Sequence, residues 1–246
     1  MDTFNLILVI AHVAGGLGTL VLGPMAMVAR KGGKRHVDWG RIYYRVMMWV
    51  LFSAVVLSIT KRFVFFLVAV TVLSFYSTFT GVRCIYQKGK GAANARGIWV
   101  DWLITGAVFL FAFGMTAYGA LAPRVDLTLA ILCTVFGSLL LIDSGRDILR
   151  YLRPSKDPLW WLYYHISRMI GSYIAAVTAF AINQIAPRVP ANQQIWVWIG
   201  PTLLLTPLIV GWQIVYRRKA KLRAKAAAAA ASEEIATQSR ITISPV

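Results

Sequence analysis

Within the apolar segment Trp160–Ser172, His165 and Arg168 are the residues whose chemistry is out of place in a membrane-like run. At 3.6 residues per turn they share a helical face with Ser172, Ala175, Ala176, Ala179 and Asn183, a polar and small-residue stripe on an otherwise greasy helix. Ionisable groups so placed face protein or water rather than lipid, and suit either proton transfer or the binding of an anionic or polar ligand. Arg45, Asp101 and Asp143, on three other segments, fall within roughly two turns of the same boundary, and His36, Asp38 and Arg41 are expected on an adjoining loop. Asp101 shares its face with Thr105, Ala112 and Thr116, and so points into a bundle. Asp143 with Arg146, and Asp147 with Arg150, have the three-residue spacing of helical ion pairs. Two readings stand side by side: an ion-pair lattice that fixes helix register, or a water-filled pocket that holds a ligand through His165 and Arg168.

His12 is the other intramembrane histidine, and its face continues through Gly15, Gly16, Thr19 and Gly23. A glycine groove admits another helix or a flat macrocycle close to the backbone. His12 is thus either hydrogen-bonded across a tight helix interface or a haem ligand or proton site. A b-type haem held by two histidines would have to use His12 and His165, which are predicted to differ by about 10 Å in depth within a core of about 30 Å. Other chemistry is missing from the sequence. There is no glycine-rich phosphate loop, no HExxH, no Gly-x-Ser-x-Gly and no close Cys/His set, so no metal site and no catalytic constellation is predicted, and the reading leans away from an enzyme. Ser167, two residues after His165, does not change this, since residues two apart on a helix point about 160° apart.

The elements that would position these groups are transmembrane helices. A chain of 246 residues that is 58% hydrophobic and 14% charged, with mean hydropathy +0.64, is an all-α, polytopic integral membrane protein rather than a soluble domain. Seven spans are predicted at about 4–28, 42–60, 63–86, 98–121, 127–142, 159–185 and 195–216. The fifth is expected to run on as helix past Asp143 and Arg150 to Pro154, and the seventh to kink at Pro201 and Pro207. The N-terminus lacks a basic signal-peptide region, so the first span is expected to be retained. A basic, alanine-rich helical extension is expected over 217–237 and a disordered tail over 238–246. Cys84 and Cys133 are predicted near opposite membrane faces, out of disulfide reach.

Net charge of +17 points to membrane topology rather than nucleic acid, because the basic residues sit in short loops. The loops after spans one, three and five, with the C-terminal tail, hold 21 of the 26 lysines and arginines, including Arg45 and Arg83 at span ends. The positive-inside rule then places the amino terminus outside and the carboxyl terminus in the cytoplasm. Arg217–Lys225 is expected to lie against anionic inner-leaflet lipid. Trp39, Tyr43, Tyr44, Trp99, Trp102, Trp160, Trp161, Trp196, Trp198 and Trp212 cluster at span ends as an interfacial belt.

The run His12-x-x-Gly15, Gly23-Pro24, Arg30-Lys31-Gly32-Gly33, His36-x-x-x-Gly40-Arg41-x-Tyr43, followed by His165-x-x-Arg168-Met169, Ala175-Ala176, Ala179-Phe180 and Asn183-Gln184, resembles a bacterial "predicted membrane protein" family of unknown function. The resemblance covers most of the seven spans, implies a seven-helix membrane protein and assigns no activity. The chain departs from it at Val37-Asp38-Trp39, where the family often has a more basic triplet. The functional expectation is an inner-membrane protein that binds or moves a small polar ligand or protons at a cytoplasm-facing cluster. The alternatives are an electron-transfer protein carrying haem b or contacting quinone, and a non-catalytic accessory subunit with a membrane-protein partner or a second copy of the chain.

Overall fold

The computed structural model describes residues 3–60, 65–88, 96–121, 127–155 and 157–242. The Lys61-Arg62 turn, Lys90 and its neighbours, Ala122-Pro123-Arg124 and the last four residues of the expected tail lie outside them. Among the described residues the chain is all-helical: α1 Thr3–Val28, α2 Lys34–Thr60, α3 Phe65–Tyr86, α4 Trp99–Leu121, α5 Leu127–Leu152, α6 Trp160–Gln184, two short 3₁₀ turns at Ala186–Arg188 and Ala191–Gln193, and α7 Gln194–Thr242. All seven α-helices are long and apolar enough to cross a membrane, which makes this a multi-pass membrane protein.

The starts of α2 and α4 follow local hydrogen bonding rather than the rise in hydropathy. α2 begins at Lys34, eight residues before the predicted span, so His36, Asp38 and Arg41 are helical and not on a loop. The cause lies in the Arg30-Lys31-Gly32-Gly33 turn: the Gly33 N–H donates to the Arg30 carbonyl at 3.0 Å, and Gly32 takes φ +76°, the left-handed value that a type II turn requires at its third residue. Val37 N–H then reaches the Gly33 carbonyl at 3.1 Å and starts the helix. At α4 the cap is electrostatic, because Asp101 Oδ2 accepts the Ile98 N–H at 2.9 Å, the reach-back of a capping box. α5 runs through its charged residues to Leu152, as expected. α7 continues as helix past Pro201, Pro207 and the predicted Gln238 boundary to Thr242.

The chain divides into two compact units, Met1–Thr206 and Pro207–Val246. In the second, helical to Thr242, the basic residues from Arg217 to Arg223 are exposed. In the first, α1 packs along α2, α4 along α5, and α3 along α6; α3 also meets α2, α4 and α5, and α6 meets α1. Close packing is set by glycines. At Gly23 an added Cβ would sit 2.4 Å from the Tyr173 ring, and at Gly119 it would sit 2.6 Å from the Ala130 carbonyl across the α4–α5 contact.

Burial is inverted relative to a soluble protein. Large apolar side chains such as Leu103, Leu110 and Phe113 are exposed, while Thr19, Ser53, Thr78, Thr105, Ser144 and Ser172 are fully buried. Lipid solvates the first group and helix partners the second. An apolar core does exist: Ala69, Val70, Met115, Leu132, Cys133, Phe136 and Ala175 form one cluster, and Tyr43, Met47 and Leu51 another beside Met169 and Tyr173. Cys84 and Cys133 are both buried and free.

Candidate functional site

The ends of six helices meet at one side of the first unit, and two polar assemblies are built there. The larger is an alternating ladder of carboxylates and guanidinium groups. Arg168, on α6 and 4% exposed, donates through Nη1 to Asp143 Oδ2 at 2.6 Å and through Nη2 to Asp147 Oδ2 at 2.8 Å and the Asp143 carbonyl at 3.0 Å. Asp147 Oδ2 also accepts from Tyr76 at 2.5 Å and Tyr164 at 2.6 Å. The other oxygen, Asp147 Oδ1, faces Arg150 Nε at 3.6 Å, an ion pair without a hydrogen bond. Arg150 Nη1 donates to Gln87 Oε1 at 3.1 Å, and Gln87 Nε2 to Asp101 Oδ2 at 3.4 Å. Arg83 ends the ladder on Asp101, with Nε to Oδ1 at 2.9 Å.

Aromatic faces complete it. Arg150 lies over Tyr151, Trp160 and Tyr164 at 4.6–4.8 Å, and Arg168 lies over Tyr76 and Tyr164. A planar guanidinium can stack and fork at once, which lysine cannot. Thr105 sits between the Tyr76 and Tyr151 hydroxyls, 3.3 Å from each. Gly97, at φ +77°, lets the chain pass so close to Asp101 and Tyr151 that an added Cβ would lie 3.2 Å from each. Three carboxylates and three guanidinium groups on α3, α4, α5 and α6 thus neutralise one another in an array that is buried at its centre, around Asp147 and Arg168, and partly exposed at Asp143 and Arg83.

The smaller assembly lies between α1–α2 and α3–α6. His165 Nδ1 is 2.7 Å from the Gly81 carbonyl, and His36 Nδ1 is 2.9 Å from the Ala26 carbonyl. A carbonyl only accepts, so both rings donate through Nδ1–H and Nε2 is the nitrogen that titrates. The rings meet edge to face with centroids 6.3 Å apart. Lys31 Nζ also reaches the Ala26 carbonyl, at 3.4 Å, and donates to that of Met27. These are last-turn carbonyls of α1, so a lysine and a histidine cap its C-terminus together.

Burial pushes the Lys31 ammonium from its ordinary 10.5 down to about 8. Between those two pH values the unfolded chain binds a proton that the folded chain has released, so stability should rise with pH across that window and be lowest below it. Thermal melts at intervals from about pH 7 to about pH 10.5 should show this slope in the native protein and a flatter profile in Lys31→Met, which keeps the apolar stem.

Of the residues singled out from the sequence, Asp101, Asp143 and Arg168 join the ladder, and His36 and His165 form the pair. Ser172 belongs to a third contact, its Oγ 2.9 Å from Tyr43 Oη. Arg45 is on an exposed face of α2. His12 is held elsewhere, its Nδ1 2.8 Å from Ser53 Oγ. Ser53 gives its own proton to the Trp49 or Val50 carbonyl, so the His12 ring donates to it. The i, i+3 expectation holds for Asp147 and Arg150, but Asp143 pairs with Arg168 on another helix. Sequence reasoning missed Asp147 as the centre of the ladder, and with it Tyr76, Tyr164, Gln87 and the role of Arg83. The Asp147–Arg150 spacing and the position of Tyr164, four residues before Arg168, were the available signals. Among the described residues no group of three or more His, Cys, Asp or Glu is arranged to hold a metal ion. Compared with known proteins, the chain matches no family model, no curated protein and no solved structure.

Proposed function

We propose that this chain is a cytoplasmic-membrane protein, amino terminus outside and carboxyl terminus inside, that binds or moves protons or a small polar ligand at its inner end, with the His36–His165 pair as the exchanging site and the ladder as its fixed frame. The orientation rests on the bias of lysine and arginine toward the loops at that end. The observation that carries the site is the meeting of two imidazoles from different helices, each with Nδ1 tied to a carbonyl. That arrangement fixes both rings and leaves Nε2 of each to change its proton. The ladder has the opposite character, since its charges are already matched inside the protein. Proton binding by the purified protein, titrated downward from about pH 8, should be smaller in the double variant His36→Gln, His165→Gln than in the native chain. A titration curve unchanged by the double substitution would sink the reading.

A further inference from the structure

We infer that the exposed face of the first three turns of α2 is a binding surface for anionic phospholipid, with Arg41 and Arg45 on the headgroup phosphate. The inference follows from the early start of α2 and does not depend on the proton site, since His36 lies on the opposite side of the helix from Arg45. Because α2 is one helix from Lys34 to Thr60, the rotation of its membrane-spanning part fixes where its basic residues point. Tyr43, Met47 and Leu51 are buried against the bundle. The other side is open to lipid, with Trp49 42%, Phe52 62% and Ile59 79% exposed. Lys34, Asp38, Arg41, Trp49 and Phe52 all lie within about 40° of Arg45 around the helix axis. Lys34, Arg35, Asp38, Arg41 and Arg45 are all exposed, so the lipid-facing apolar stripe runs directly into a basic one.

Length sets the depth of these charges. The 27 residues of α2 span about 40 Å, more than a hydrocarbon core of about 30 Å and close to a bilayer with its headgroups. Thr60 precedes Lys61-Arg62 at one boundary, and the roughly 20 residues that cross the core reach back from there to Arg41. Lys34, Arg35 and Asp38 then lie in the headgroup layer, Arg41 at its floor and Arg45 about one turn below it on the lipid side. Among the described residues no carboxylate comes within ion-pair distance of Lys34, Arg35, Arg41 or Arg45. A lipid-facing guanidinium at that depth is costly to leave uncompensated, so it extends toward the boundary, where a phospholipid phosphate is the anion within reach. Guanidinium forks onto two phosphate oxygens, and the acyl chains of the same lipid lie along Trp49 and Phe52. Four cations against the single carboxylate of Asp38 favour a headgroup of net negative charge over a zwitterionic one.

Ile42, 40% exposed and on the lipid side between the two arginines, is the position from which to read this. Full-length protein carrying Ile42→benzoylphenylalanine, a photoreactive side chain, is placed in nanodiscs of equimolar phosphatidylglycerol and phosphatidylcholine with identical acyl chains. After illumination the attached lipid is identified by mass spectrometry. Since the acyl chains are the same, the adduct ratio measures headgroup selection. Phosphatidylglycerol should exceed phosphatidylcholine by about fivefold or more, the gain from one well-placed cation. The excess should fall below about twofold in Arg41→Gln, Arg45→Gln, and persist in Arg218→Gln, Lys221→Gln, which removes exposed cations from α7. Without any arginine substitution it should shrink as salt rises from about 0.05 M to about 1 M, a readout that does not require a variant to fold. An adduct ratio equal to that of the bilayer, or an excess that survives loss of both arginines, overturns the inference. So does an equal fall in Arg218→Gln, Lys221→Gln, which would assign the enrichment to net charge and not to this face.

Discussion

Asp147→Ala should destabilise the protein by about 3–5 kcal/mol, the largest effect expected of a single side chain in the ladder. The substitution removes an acceptor that serves Tyr76, Tyr164 and Arg168 on one oxygen and faces Arg150 with the other. Two buried guanidinium groups then lose a carboxylate partner, and two buried hydroxyls lose their acceptor. Asp143→Asn is the informative contrast. Its side chain is 38% exposed and Arg168 keeps Asp147, so the cost should be nearer 1 kcal/mol. Thermal unfolding in mild detergent, followed by tryptophan fluorescence and by recovery of monodisperse protein, should rank Asp147→Ala far below Asp143→Asn. Equal losses would mean that Asp147 is not the centre of the array.

The second large effect is expected where α4 and α5 interlock. A Cβ at Gly119 would lie 2.6 Å from both the Ala130 carbonyl oxygen and the Thr134 nitrogen; at Gly137 it would lie 2.6 Å from Thr116 Oγ1 and 2.9 Å from the Thr116 nitrogen. At both positions the obstacles include backbone atoms, so no rotamer change alone relieves them and the helices must separate. Each Gly→Ala change should cost about 1–3 kcal/mol, with the double variant worse because both open the same seam. Gly114 on the same helix has open space around an added Cβ. Gly114→Ala should therefore be neutral or slightly stabilising through helix propensity alone. If all three behave alike in the melting assay, the interlock is not what holds α4 to α5.

How much of this was legible in the sequence depends on the range of the interaction. Helix number and type followed from hydropathy, because a bilayer leaves the backbone of a long apolar segment few other ways to satisfy its hydrogen bonds. The start of α2 did not follow, since the turn at Gly32-Gly33 and not the charge of Lys34 and Arg35 decides where the helix begins. That polar residues gather at one end was visible from their depth. Their pairing was not, because it depends on helix rotation and neighbour choice. Asp143 could have paired with Arg146 on its own helix, and only the packing of α5 and α6 on α3 brings Arg168 to it instead. His36 and His165, 129 positions apart, meet because α1–α2 packs beside α3–α6, a juxtaposition that no spacing rule encodes. Tyr76 could not have been singled out without knowing that it reaches the same oxygen as Tyr164.

The ladder also divides the first unit mechanically. Its ion pairs lie on α3, α4, α5 and α6, and so act as a cross-brace at one end of those four helices. The α1–α2 hairpin rests on that braced block through neutral contacts: Tyr43 with Ser172, the Tyr173 hydroxyl on the Leu20 carbonyl, and the apolar cluster around Met47 and Leu51. Sliding or tilting such a hairpin breaks single neutral hydrogen bonds, whereas shearing the braced helices uncouples buried charge. The compliant seam of the molecule therefore runs between the hairpin and the block, and the His36–His165 contact spans it.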